Sequence, residues 1–277
     1  MTARSRCLIA TFCVAVALFA DNSSAGLIDN GDFGAGSLAG WNASGDASVQ
    51  TVYSGITPTS PSYEALLTNG SGTHVSDPTV TGTPSVSPGI VEAQLGLTSG
   101  RLSELIPAPV VNVSAISQTF GGHTDDRLSF SWNFATTETV ASDFSFWSLV
   151  EVVDVNGQTT YNERVLQIFE NSNFSQFTRK DTPAKVNNES PRFEWMTDWQ
   201  ATSYDFSSDG EYLLGFGVAN VHDYYNYSGL FVDDVNFGPT SVPEPSTLVL
   251  SAIGTLALTC AAMRRHWAAK RQARFGA

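Results

Sequence analysis

Between Arg127 and Phe134 large apolar residues alternate with small polar ones: Leu128, Phe130, Trp132 and Phe134 interleave with Ser129, Ser131 and Asn133. A period of two belongs to a strand buried on one face, because on a helix the same four side chains would scatter around the axis. Tyr212, Leu214, Phe216 and Val218 repeat the pattern, with Gly215 and Gly217 leaving the opposite face bare. Phe144 to Val155 predicts a longer strand that ends at Asn156-Gly157, a pair tolerant of the positive φ of a tight hairpin, so Tyr161 to Phe169 is expected to pair back on it. Val111 to Phe120 and Leu230 to Phe237 supply further strands, and no sustained helical stripe lies between Gly26 and Val242.

Strand after strand separated by Gly, Pro, Asn and Asp predicts an all-β chain, an antiparallel β-sandwich of the jelly-roll kind. The stretch Thr57 to Pro109 differs. It is rich in Ser, Thr, Gly and Pro and reads as long loops carrying one or two short elements, with Glu64-Ala65-Leu66-Leu67 a candidate strand. All three cysteines, Cys7, Cys13 and Cys260, lie in the two apolar ends, so the part between has neither disulfides nor a thiol nucleophile.

The ends predict export. Arg4 and Arg6 precede an apolar stretch from Cys7 to Ala20, and Ser23-Ser24-Ala25 supplies small residues for a signal peptidase, so residues 1–25 are expected to be a signal peptide cut after Ala25, with Ala20 as runner-up. Residues 26–241 are then the ectodomain. It carries seven basic and 25 acidic residues, a formal charge of −18, which repels nucleic acid and anionic lipid and suits Ca²⁺. At the other end Val242-Pro243-Glu244-Pro245 is stiff and extended. The uncharged run Thr247 to Met263 follows, 17 residues at the low end of a bilayer span. Arg264, Arg265, Lys270, Arg271 and Arg274 then hold the terminus on the cytoplasmic side.

Residues 242–277 thereby resemble the PEP-CTERM sorting tail of Gram-negative bacteria: motif, transmembrane helix and Arg-rich end in that order. The resemblance implies an exosortase as partner, a protein anchored in the inner membrane before processing, and a destination on the cell surface or in an exopolysaccharide or biofilm matrix. It implies a substrate of that enzyme rather than a catalyst.

A second resemblance covers the ends of the ectodomain. Asn30-Gly31-Asp32-Phe33 with Gly40-Trp41, and Gly229-Leu230-Phe231-Val232-Asp233-Asp234-Val235, are similar to the opening and closing strands of galactose-binding-like jelly rolls and related carbohydrate-binding modules. Adjacent opening and closing strands, a structural calcium and a carbohydrate ligand are what it implies. Asp32, Asp233 and Asp234 are the matching calcium candidates, although Gly34 stands where the pattern has Glu. For glycan binding, Tyr224, Tyr225 and Tyr227 form the best aromatic cluster, since three tyrosines in one polar loop are not all expected in the core. Phe193, Trp195 and Trp199 form a second group, expected to pack under a loop with Asp198 facing water. The alternative function is a secreted polysaccharide hydrolase, but 25 acidic residues offer many carboxylate pairs and no signature selects one. His74, His123 and His222 have no zinc-motif spacing.

Overall fold

The computed structural model describes residues 28–73, 78–137, 143–171, 178–179, 193–222 and 227–239. The expected signal peptide and sorting tail lie outside these residues. Among the described residues no helix is long and apolar enough to cross a membrane.

Two antiparallel sheets face each other. The first comprises β1 (Asn42–Ser44), β4 (Val110–Gly122), β11 (Gly210–Val221), β6 (Phe144–Val155) and β7 (Gln158–Asn171), in that order. The second runs β2 (Asp46–Gln50), β3 (Glu64–Thr68), β12 (Ser228–Pro239), β5 (Asp126–Thr136), β9 (Trp195–Met196) and β8 (Thr178–Arg179), with β10 (Gln200–Asp205) also paired to β5. The alternating residues meet where expected: Leu128, Phe130, Trp132 and Phe134 of β5 interlock with Tyr212, Leu214, Phe216 and Val218 of β11 in the central core. Phe130 touches both Phe216, edge-on at 4.8 Å between ring centres, and Trp147 at 5.3 Å. The predicted hairpin forms, with Val155 opposite Gln158 and φ of 58° and 80° at Asn156 and Gly157.

The face of β11 that carries Gly215 and Gly217 is not bare, which corrects the sequence reading. Helix α1 (Pro88–Gln94) and the chain around it lie across it, and Val91, Leu95, Leu97 and Leu102 join Phe144, Phe146, Val150 and Leu213 in a second core. The glycines are holes filled from two sides, Gly215 by Leu95 of this layer and Gly217 by Phe146 of the neighbouring strand β6. A Cβ on Gly215 would overlap the Leu95 side chain, and one on Gly217 the Phe146 ring. Two devices hold the strap. The Glu92 carboxylate accepts from the Gly100 and Leu102 N–H groups at 2.8 and 2.9 Å, and Arg101 bonds Glu163 of β7 through two nitrogens. The helix has seven residues, too short for a recognisable 3.6-residue stripe.

The second sheet is covered over only part of its outer face. Tyr53, Ile56, Phe193, Met196, Tyr227 and Trp199 gather there over Leu66, Ala135 and Phe231 in a third core. The opening segment is a turn rather than a strand: Phe33 N–H donates to Asn30 C=O. It still meets the closing strand, because the Val235 N–H donates to the Gly31 carbonyl at 2.9 Å, and a Cβ on Gly31 would strike the carbonyl of Val235. The first true strand, β1, pairs with β4, and the chain crosses to the other sheet at Gly45, where φ is 82° and Ser114 leaves no room for a side chain.

Candidate functional site

Where the third core stops, the outer face of the second sheet is open among the described residues. Two rungs cross three strands there: Asn236, Ser129 and Ser203 in one, Asp233, Ser131 and Ala201 in the next. The inward-facing neighbours on β5 and β10 pack in the core, with the Trp132 indole donating to Thr202 Oγ1 at 3.0 Å, so the outward side chains of these two strands in the rungs are small, three serines and an alanine. A bulge between Asp233 and Asn236 gives Asp234 a φ of 51° and turns it onto the rim. The result is a shallow depression of about 380 Å³ lined by Ser129, Ser131, Ala201, Ser203, Asp234 and Asn236. It offers three serine hydroxyls, a carboxylate and a carboxamide, with Thr202, whose hydroxyl accepts from Trp132, at its floor. Such a set can exchange hydrogen bonds with a polyhydroxylated ligand, whereas the only aromatic residue at the depression, Phe130, spends its ring on the core.

At the nearer end of this face Arg127 holds Asp205 in a two-nitrogen pair at 2.5 and 2.9 Å, and the side-chain hydrogen bond keeps Asp205 below the usual carboxylate range. Asp209 is lowered too, first by the Thr124 N–H and then by its hydroxyl.

The three calcium candidates do not form a ligand set. Asp233 is fully buried, and both its oxygens are taken: Oδ2 accepts from Thr59 N–H, Thr59 O–H and Ser60 N–H, and Oδ1 from Ser60 O–H and Asp234 N–H, all within 2.9 Å. It pins the 57–60 loop against the last strand. Asp32 is exposed and caps its own turn by accepting from the Gly34 N–H, while Asp234 faces the depression. Among the described residues no group of three or more His, Cys, Asp or Glu side chains is placed to hold a metal ion. Asp46 serves another loop in the way Asp233 serves its own, accepting from Thr68, from the Val80 N–H and from both the N–H and O–H of Thr81.

Tyr224 and Tyr225 lie outside the described residues. Tyr227 does not face solvent as expected: it is 4% exposed and packs 5.1 Å from Phe193 between ring centres, and burial holds its hydroxyl well above the ordinary phenol range. A ring buried this deeply cannot stack on a sugar. Phe193 is buried as expected, Trp199 donates to the Thr57 carbonyl, and Asp198 faces water at a φ of 58°. The depression was missed because small serines and an alanine carry no sign of a ligand in sequence. Its trace was the polar half of the β5 alternation.

Residues 241–265 match the PEP-CTERM protein-sorting motif. That match spans Val242, Pro243, Glu244, Pro245, Arg264 and Arg265, all outside the described residues, and marks an exported protein anchored in the membrane before processing. No curated protein sequence matches the chain. Among solved structures, the chain is similar to TmCBM61 in complex with beta-1,4-galactotriose, at 12% identity and a TM-score of 0.39 over 76% of this chain and 96% of that one. It is also similar to CBM28, a non-crystalline cellulose specific carbohydrate-binding module (12% identity, TM-score 0.40, 77% and 95% covered). A third is the K3 adhesin domain of Lys-gingipain from Porphyromonas gingivalis w83 (9%, 0.36, 77% and 99%). At superpositions this loose, the sandwich architecture rests on its own strand pairing.

Proposed function

We propose that this chain is a surface protein of a Gram-negative bacterium that an exosortase cuts near Pro243-Glu244-Pro245, and that its sandwich is a non-catalytic carbohydrate-binding or adhesive component of an exopolysaccharide matrix. The observation that carries the first half is the motif match at residues 241–265, directly behind the last strand. The second half is supported by the open depression, its serine hydroxyls, the Asp234 carboxylate and the Asn236 amide, one of whose N–H groups is spent on the Asp234 carbonyl. A glycosidase needs two carboxylates, about 5 to 10 Å apart, flanking one bond. Asp234 is the only acidic residue lining the depression, and its neighbour Asp233 is consumed by five donors.

The test follows the mature C-terminus by mass spectrometry in the native host, for wild type and for a variant with Pro243, Glu244 and Pro245 replaced by Ala. Loss of the tail in wild type alone establishes processing, and a full-length membrane protein in both rejects it. Binding is read separately on a glycan array with the processed protein, comparing wild type with Asp234→Ala/Asn236→Ala. Equal signals for the two would remove the depression from the reading, and release of new reducing ends would favour hydrolysis instead.

A further inference from the structure

β12 stays paired to β5 as far as Pro239, opposite Asp126, while the sorting match begins at residue 241. Eight peptide steps separate Pro239 from Thr247, where the apolar run starts. At about 3.5 Å per step the two cannot be more than about 28 Å apart, whatever path the chain takes. The sandwich is longer than this tether, since the eleven residues of β5 extend about 33 Å at a strand's rise.

The strand registers put several connections at the same end as Pro239. Gly210 of β11 is opposite Gly122 of β4, Asp205 of β10 is opposite Arg127, and the β6–β7 turn at Asn156-Gly157 projects beyond the Glu211–Val152 pair. Thr136, Trp195 and Val221 mark the far end. A body of charge −18 is repelled by anionic headgroups within a Debye length of about 8 Å, so lying flat, with a whole sheet against the lipid, is the costlier posture.

We propose that the unprocessed protein stands end-on, turning the end built by the β4–β5, β10–β11 and β6–β7 connections to the lipid surface and the Thr136–Val221 end outward. This rests on the sorting reading. The depression then lies in the membrane-side half of the molecule, as Asn236 and Ser129 are three residues from the strand ends at Pro239 and Asp126.

The ectodomain contains no cysteine, so single probes can be introduced in the unprocessed Pro243→Ala/Glu244→Ala/Pro245→Ala variant carrying Cys260→Ser, isolated without its leader and reconstituted in lipid nanodiscs. Gln158→Cys reports the proposed membrane end and Glu194→Cys the far end, both exposed positions. With a fluorescent donor on the cysteine and acceptors on lipid headgroups, energy transfer from position 158 is expected to exceed that from 194 several-fold. Inserting 20 Gly/Ser residues after Pro239 should abolish the difference. Equal transfer from both positions without the insertion overturns the end-on posture. No transfer from either, with the tail intact by mass, overturns membrane anchoring itself and the proposal with it.

Discussion

Asp233 shows how a chain with so many carboxylates hides one safely. Its charge is met by five neutral donors rather than by a cation, and four of them belong to Thr59 and Ser60. Hydrogen bonds to a charged group contribute about 1.5 to 3 kcal/mol each, and orphaned buried donors cost more than the bonds are worth. Asp233→Ala should therefore lower stability by about 3 kcal/mol or more, read by urea unfolding of the processed protein, and free the 57–60 loop to proteolysis. Asn220 is the opposite case. It is 1% exposed, pairs across the strands with Asn112, and neither its Oδ1 nor its Nδ2 has a partner. Replacing an unpartnered buried amide by an apolar group of similar volume removes a desolvation cost, so Asn220→Leu should raise the unfolding free energy by about 1 kcal/mol. A fall instead would mean that the amide is solvated inside the sandwich. These roles were not legible in sequence, where Asp233-Asp234 reads as a metal motif. What separates the two residues is the bulge that buries one and turns out the other.

At the scale of the element, β11 is the strand shared by the central core and the second core. Its large residues fill the central core, while Gly215 admits Leu95 from the layer above and Gly217 admits the Phe146 ring of the neighbouring strand. Gly217→Ala forces a Cβ into the flat, rigid Phe146 ring, whereas Gly215→Ala meets a Leu95 methyl and the Ser148 hydroxyl, as buried as that ring but smaller groups to displace. Overpacking a core costs about 1 to 3 kcal/mol. Gly217→Ala should reach the upper part of that range and Gly215→Ala the lower, and thermal unfolding of the two variants side by side would expose the order if it were reversed. The strands themselves were legible because alternation and Asn-Gly turns act locally. The coverings were not, because a strap such as 86–108 is defined by what it lands on. Gly215 and Gly217 look identical in sequence whether the face above them is empty or filled.

Over the whole molecule the excess of acid sets two opposing responses. At pH 7 a net charge of −18 between residues 26 and 241 pushes the compact state apart, and raising salt from about 10 to 150 mM shortens the Debye length from about 30 to 8 Å. The melting temperature should rise over that range, despite the weakening of exposed pairs such as Arg127–Asp205, which contribute little by themselves. A fall with salt would mean that local attraction outweighs the overall repulsion. Acid acts through particular groups. Asp205 and Asp209 both titrate below their ordinary value of 3.8 when folded, held down chiefly by Arg127 and by the Thr124 N–H respectively. A depressed carboxylate adds stability that is present above its unfolded value and is lost as pH falls through the folded one. Wild type should therefore keep this contribution at pH 5 and lose it below 3.8. The Asp205→Asn/Asp209→Asn protein, already without it at neutral pH, should show an acid limb that is shallower by a small margin only, since water screens both exposed carboxylates, by calorimetry between pH 5 and 2. Parallel limbs would place the acid sensitivity elsewhere in the molecule.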